Sequence, residues 1–198
     1  MRIALVALLL TACDPIQEPT FMPVCWEPRG DKQIAHYSPD GSELPCPTGA
    51  TTITWPHTPL RIFIAWEPDY EDLGPDVQAG IDLWNRNITD HDIFVPAATA
   101  QGADVLLRFG SVGDPGLAAT SHKIIEGRLH STVECRRCVA SGQTYLTVAH
   151  DLGHVLGLAH DPQRVSIMHR SQQPLSSNAF EVKFVTSKDK QALKERYP

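Results

Sequence analysis

The segment from residue 150 to residue 160 constrains the fold of this chain more than any other part of its sequence. It reads HDLGHVLGLAH and has histidines at positions 150, 154 and 160. Residues four apart lie about 40° apart around a helix axis, so His150 and His154 point the same way if the segment is helical. Gly157 can adopt positive φ without a Cβ penalty, which allows the chain to turn there and bring His160 back beneath the helix.

Three converging imidazoles favour a catalytic metal site. Catalytic zinc sites use three protein ligands and keep one position open, whereas structural zinc is usually closed by four ligands that often include cysteine. The spacing therefore predicts one catalytic Zn²⁺ ion held by His150, His154 and His160. Calcium is possible as a second ion, but no ligand pattern in the sequence supports it.

The same segment resembles the signature of the metzincin metallopeptidases, H-E-x-x-H-x-x-G-x-x-H followed by a Met-turn. It matches at every defined position except one, because Asp151 stands where the signature has glutamate. Downstream, Ser166-Ile167-Met168 resembles the Met-turn, in which Met168 would form an apolar floor beneath the metal ligands. The short connection from His160 to this turn is similar to that of matrixin-like members.

The resemblance implies a zinc-dependent endopeptidase that hydrolyses peptide bonds with a zinc-activated water. It makes Asp151 the general base, a role worth about 10² to 10⁴ in rate. Aspartate is shorter than glutamate by one C–C bond of about 1.5 Å, which exceeds the tolerance of a hydrogen bond. Since zinc would bind without this carboxylate, a catalytically weak or inactive metal- and peptide-binding pseudoprotease stays open as the alternative.

The N-terminus predicts export. Arg2 precedes an apolar run from Ile3 to Leu10, which is too short for a hydrocarbon core that needs about 20 residues and is typical of a signal peptide. The following Leu10-Thr11-Ala12-Cys13 resembles the bacterial lipobox, which implies cleavage before Cys13 and a lipid on that residue; ordinary secretion with an incidental cysteine is the alternative. We therefore expect a lipoprotein anchored to a bacterial membrane that faces the periplasm or the cell exterior.

The other cysteines agree with an oxidising compartment. Without Cys13 there are four, at positions 25, 46, 135 and 138, and an even number in an exported chain favours disulfides. Among the three pairings we favour Cys25 with Cys46 and Cys135 with Cys138, because short loops cost little entropy to close. The second pair also has the spacing of a thiol redox motif, but no βαβ pattern surrounds it, so a structural disulfide is preferred there.

Composition along the chain predicts one catalytic domain with an N-terminal extension. Residues 1–12 form the signal peptide, and residues 13–55, rich in Pro, Gly and Ser, predict a tether and loop-rich extension. Residues 56–198 then form a metzincin-like catalytic domain. A formal net charge of −6 with few basic clusters argues against a nucleic-acid partner. We expect a monomer.

The order of elements in that domain predicts an α+β fold. Alternating or β-rich patterns predict strands at residues 60–66, 103–109, 117–125 and 127–133. A helix that opens at residue 74 has an apolar stripe of Val77, Ile81, Trp84 and Ile88. Further helices are expected at 143–156 and from Thr186 or Ser187 to Tyr197. A small, mixed and twisted sheet with an active-site helix, a backing helix and a C-terminal helix follows, as the metzincin resemblance also implies.

The strand at residues 117–125 is the expected substrate-binding element. In metzincins an edge strand above the cleft binds substrate as an added strand, and this segment has the corresponding place in the order. The resemblance implies a peptide or protein substrate that is bound along this edge by main-chain hydrogen bonds. Residues after the Met-turn are polar and without pattern, so they predict no substrate preference.

Overall fold

A computed structural model describes residues 25–26, 33–34, 51–52, 54–88, 92–109, 118–135, 144–158, 160–169 and 184–197. The signal peptide, Cys13, Cys46 and Cys138 lie outside the described residues, so the lipid anchor stays a prediction. Cys135 is disulfide-bonded, to a partner whose side chain is not described. The two cysteine pairings therefore also stay predictions.

The described residues contain eight strands in two sheets. In chain order these are β1 Cys25–Trp26, β2 Gln33–Ile34, β3 Thr51–Thr52, β4 Leu60–Ala65, β5 Phe94–Pro96, β6 Val105–Phe109, β7 Ala118–Ile125 and β8 Arg128–Cys135. The first three form a small antiparallel sheet of order β2-β1-β3. The other five form the main sheet, of order β5-β4-β6-β8-β7.

The main sheet is mixed, and β7 forms one of its edges. Strands β4, β5, β6 and β8 pair in parallel, whereas β7 pairs antiparallel with β8 from Ala118 opposite Cys135 to Ile125 opposite Arg128. Both residues of the connecting turn, Glu126 and Gly127, have positive φ, as a tight type I′ hairpin requires. The edge strand expected at residues 117–125 is confirmed. The short β5 was missed, because three residues that end in proline show no alternation.

Among the described residues three α-helices accompany the sheet: α1 Gly74–Ile88, α2 Thr144–Val155 and α3 Ser187–Arg196, with a 3₁₀ helix at Pro68–Leu73 before α1. The predicted apolar stripe of α1 is buried at all four positions. This face packs against α2, and a Cβ on Gly80 would lie 2.9 Å from the carbonyl oxygen of Tyr145. The close crossing explains why α1 has a glycine where the two helices meet.

One apolar core joins the sheet to the helices, with Trp84, Phe94, Phe109, Leu152 and Met168 among its largest fully buried or nearly fully buried side chains. The α+β architecture with a backing helix and a C-terminal helix is confirmed. None of the helices in the described part of the chain has the length and apolarity to cross a bilayer.

Candidate metal centre

The Nε2 atoms of the three predicted ligands converge on one point. Those of His150 and His154 lie 3.1 Å apart, and each lies 3.2 Å from that of His160. Tetrahedral zinc with Zn–N distances of about 2.0 to 2.1 Å holds its nitrogen ligands about 3.3 Å from one another. The donor set therefore fits such an ion. Within the part of the chain that the structure describes, this is the one group of three metal-ligating side chains.

The two helix histidines have the tautomer that metal binding requires. Nδ1 of His150 donates to the carbonyl oxygen of Ile167 at 2.8 Å, and Nδ1 of His154 donates to that of Leu158 at 2.8 Å. A carbonyl oxygen can only accept, so the proton is on Nδ1 and the lone pair of Nε2 points to the common centre. Lone pairs at this separation repel each other, and a cation between them removes that repulsion. Hydrogen bonds of this kind orient metal ligands.

Electrostatics also keep the first ligand neutral. Burial, and after it the proximity of His154, holds the pKa of His150 well below its usual range. Only the neutral imidazole can bind a metal ion. The site is therefore ready to bind a cation at neutral pH without first losing a proton from His150.

A glycine turn connects α2 to the third ligand. The amide of Gly157 donates to His154 O at 2.9 Å, and that of Leu158 donates to Gly153 O at 3.0 Å, which are the two bonds of a Schellman motif. Gly157 has a φ of 84°, a conformation that strains residues with a Cβ. Since this turn also supplies the Leu158 carbonyl, it both reverses the chain and orients His154.

Three side chains from outside α2 hold its C-terminal end in place. Three consecutive carbonyls at and just after the end of α2 each accept a side-chain donor: Val155 O from Trp55 Nε1 at 2.8 Å, Leu156 O from Tyr197 Oη at 3.1 Å and Gly157 O from Arg196 Nη1 at 3.0 Å. Helix ends leave such carbonyls without partners inside the helix. The contacts hold the metal-binding turn against the core from two distant parts of the chain.

The segment predicted to be a Met-turn forms a turn, and each of its residues has a separate contact. Ser166 Oγ accepts the amide of Met168 at 2.9 Å, and the Ile167 carbonyl orients His150. Met168 is fully buried. A Cβ on Gly153 would overlap its sulfur, so the thioether lies directly against the backbone of α2. Met168 therefore packs against α2 between the first two ligands in sequence, and its role as an apolar floor beneath the metal ligands stays a prediction.

The C-terminal helix supports this turn. Asp189 Oδ2 accepts the Ser166 hydroxyl at 3.2 Å and also the amide of Thr186 at 2.9 Å, as part of a capping box at the start of α3. Burial raises the pKa of Asp189. A cap at Thr186 or Ser187 was predicted, and the structure has it at Thr186, but the link of this cap to the Met-turn was missed. No local sequence pattern marks the contact with Ser166.

Asp151 lies one residue beyond His150, which turns it about 100° around the helix axis and away from the ligand direction. Its side chain meets β7, where the Thr120 hydroxyl donates to Asp151 Oδ1 at 2.7 Å. Burial raises the pKa of Asp151 to about 6, against the lowering effects of the Thr120 bond and of His160. The carboxyl can therefore change protonation state close to neutral pH. Sequence reasoning missed Thr120, because a threonine in an edge strand has no motif.

The comparisons with known proteins agree with this geometry. A family model described as matrixin matches residues 79–198, which is more than half of the chain and includes α2, the Met-turn and α3. No curated protein matches the chain.

Proposed function

The chain belongs to the matrixin family of metallopeptidases, and on that premise we propose that it is a zinc-dependent endopeptidase with Asp151 as its general base. The convergence of the three histidine Nε2 atoms, 3.1 to 3.2 Å apart, is the observation that supports this most directly. When bound, zinc supplies a Lewis acid that polarises the scissile carbonyl and acidifies water.

In this proposal Asp151 moves the proton. Its Oδ1 is held by Thr120, so Oδ2 takes the proton from the attacking water and later gives it to the leaving amine. A base works best when its pKa is near the working pH, and a pKa of about 6 satisfies that condition.

The substrate of this proposal is a peptide segment bound along β7. In the described sheet, β7 pairs with β8 and is the last strand on that side. A peptide that adds as a further strand would gain main-chain hydrogen bonds. Because Thr120 of this strand contacts Asp151, the added strand would lie beside the base and the ligands.

A non-catalytic metal- and peptide-binding lipoprotein is the second candidate. The substitution of the family's glutamate by Asp151 favours it, since the shorter side chain has less reach toward a water at the metal. Zinc and the fold would then be retained without hydrolysis.

Cleavage of unfolded protein substrates by the zinc-loaded chain separates the two candidates, with His150→Ala as the blank. We expect cleavage above the blank, and one zinc per chain that is lost in His150→Ala and His154→Ala. Zinc binding without cleavage in the wild type, together with cleavage by Asp151→Glu, would establish the non-catalytic candidate. Absence of zinc from the purified wild type would remove both.

We also propose that the mature protein begins at Cys13 and is attached to a membrane by acyl groups on that residue. One acyl chain gives only marginal binding, whereas several give a stable anchor. Mass spectrometry of the mature N-terminus should find an acylated Cys13, and Cys13→Ser should leave the membrane fraction. An unmodified N-terminus downstream of residue 13 would contradict the proposal.

A further inference from the structure

A hydrogen bond joins the edge strand β7 to Asp151, the proposed general base. Thr120 Oγ1 lies 2.7 Å from Asp151 Oδ1 and 3.2 Å from the Asp151 carbonyl oxygen. A hydroxyl has one proton to donate, and the shorter contact to the carboxylate takes it. The donor is on β7 and the acceptor on α2, 31 residues apart in sequence.

From this contact we propose that Thr120 is a positioning residue for Asp151. The inference rests on the proposed endopeptidase function and names a part of its machinery that the sequence motif does not include. A bond to Oδ1 fixes the rotation of the carboxylate and leaves Oδ2 to exchange the proton. The partner of the base thus comes from the strand on which the substrate is proposed to bind.

The shorter side chain explains why such a partner matters here. Aspartate has about 1.5 Å less reach than glutamate, so the productive range of carboxylate orientations is narrower. Asp151 is 5% exposed, so its orientation depends on contacts with other protein groups. A misplacement of about 1 Å at a reacting group can cost about 100-fold in rate. One short hydrogen bond from a strand that is itself paired along its length supplies the missing restraint.

A purely structural role for Thr120 predicts a different outcome. In that case the hydroxyl only satisfies a buried carboxylate, and its loss lowers stability without a specific effect on the chemical step. A positioning role predicts a loss in kcat with KM and zinc content preserved. Restoration of the hydroxyl by serine should then restore the rate, because serine offers the same donor at the same Cβ.

The test compares Thr120→Val, Thr120→Ser and the matched control Thr132→Val, a threonine-to-valine change on the neighbouring strand β8. For the zinc-loaded full chain we expect Thr120→Val to lower kcat about ten-fold or more, because a misplaced reacting group can cost about 100-fold in rate. KM and zinc content should stay within about two-fold. Thr120→Ser should recover most of kcat, and Thr132→Val should keep the wild-type value.

A second measurement does not depend on activity. Thermal unfolding of the full chain is recorded for Thr120→Val, Asp151→Ala and the double variant. If the two side chains are bonded, the loss in Tm of the double variant is smaller than the sum of the single losses. Additive losses would show that the pair is not coupled and would overturn the inference.

The remaining outcomes separate the inference from the proposed function. If the wild type cleaves substrate and Thr120→Val has the same kcat, the positioning role is wrong while the endopeptidase function stands. If the wild type does not cleave above the His150→Ala blank, the endopeptidase function fails. The positioning role fails with it, and coupled unfolding would then identify Thr120 as a structural partner alone.

Discussion

Asp151 and Asp104 are both buried aspartates, 5% and 2% exposed, yet their surroundings give them opposite tendencies. Asp104 stands just before β6 and accepts bonds from Arg61 through Nε at 3.2 Å and through the backbone amide at 2.9 Å. Burial alone would raise the pKa of Asp104, but the Arg61 and His57 hydrogen bonds outweigh it and the pKa is lowered. Asp151 has a hydroxyl as its bonded partner, and its pKa is raised to about 6.

The comparison shows that charged partners can outweigh the desolvation that burial imposes on a carboxylate, as at Asp104, and that without them desolvation dominates, as at Asp151. With a guanidinium beside it, Asp104 stays ionised and ties β4 to the start of β6. With a neutral donor, Asp151 remains able to gain and lose a proton near neutral pH. A guanidinium partner keeps Asp104 ionised, whereas a hydroxyl partner leaves desolvation dominant at Asp151, as it does at Asp189.

The largest expected effect is on kcat, which should depend on the carboxylate of Asp151 and not on that of Asp104. Asp151→Asn should lower kcat by about 10² to 10⁴ with zinc retained, because it removes a general base. Asp151→Glu restores the family residue and should hold or raise kcat. Steady-state kinetics and metal analysis of the zinc-loaded chain measure both. Asp104→Asn is the matched control, and an equal loss of kcat in the two asparagine variants would remove the distinction between them.

The second prediction concerns the packing against α2, the helix that carries Asp151 but not Asp104. A Cβ in Gly153→Ala would overlap the Met168 sulfur and lie 2.8 Å from Trp84 Cζ2. We expect a loss in stability of about 1 to 3 kcal/mol from overpacking, reduced by the gain of up to about 1 kcal/mol in helix propensity. Zinc affinity should fall as well, because Gly153 directly precedes the ligand His154 on α2 and a shift of the backbone there would move that ligand.

Chemical denaturation and zinc titration measure these two effects. Gly74→Ala is the control, since a Cβ there meets nothing within 4 Å. Unchanged zinc affinity in Gly153→Ala would mean that the apolar floor and the metal ligands are independent.

Much of the fold could be predicted from the sequence because its signals are local. The stripe of α1, the alternation of β4 and the spacing of His150 and His154 each depend on residues within a few turns or strand repeats. Gly157 predicted the chain reversal because the αL conformation has a clear residue preference. These local patterns determined the fold class and placed the ligand triad.

The contacts that orient the site were not predictable in the same way. Thr120 and Asp151 are 31 residues apart, and Ser166 and Asp189 are 23 apart. Each pair joins two elements whose relative position depends on the packing of the whole core. Threonine in a strand and serine in a turn are common, so neither pattern indicates a partner. For the same reason, no sequence pattern indicated that the pKa of Asp151 would rise.

The third prediction is the effect of Asp104 on acid stability. Its folded-state pKa is lowered, so its contribution is fully present above the unfolded pKa of about 3.9 and is lost as pH falls through the folded value. Asp104→Asn should destabilise the chain by about 1 to 3 kcal/mol at neutral pH, as loss of hydrogen bonds to a charged group does. The difference from the wild type should shrink below pH of about 4.

Urea unfolding of the wild type and of Asp104→Asn between pH 7 and pH 3 measures this difference in free energy. A gap that stays constant down to pH 3 would contradict the ionised state assigned to Asp104. Arg61→Gln, which removes the main partner, should give a similar profile with a smaller amplitude.

The smallest expected effect concerns His57, a second hydrogen-bond partner of Asp104. His57 Nε2 lies 3.4 Å from Asp104 Oδ2, but the His57 side chain is 45% exposed. Exposed ion pairs contribute about 0 to 1 kcal/mol, and Arg61 already occupies both carboxylate oxygens. His57→Ala should therefore change the free energy of unfolding by less than about 0.5 kcal/mol at pH 7. Urea unfolding beside Arg61→Gln measures it. A loss in His57→Ala as large as that in Arg61→Gln would mean that Asp104 depends on several weak partners together. The contrast between Asp104 and Asp151 would then come from the number of hydrogen-bond partners, and not from the positive charge of Arg61.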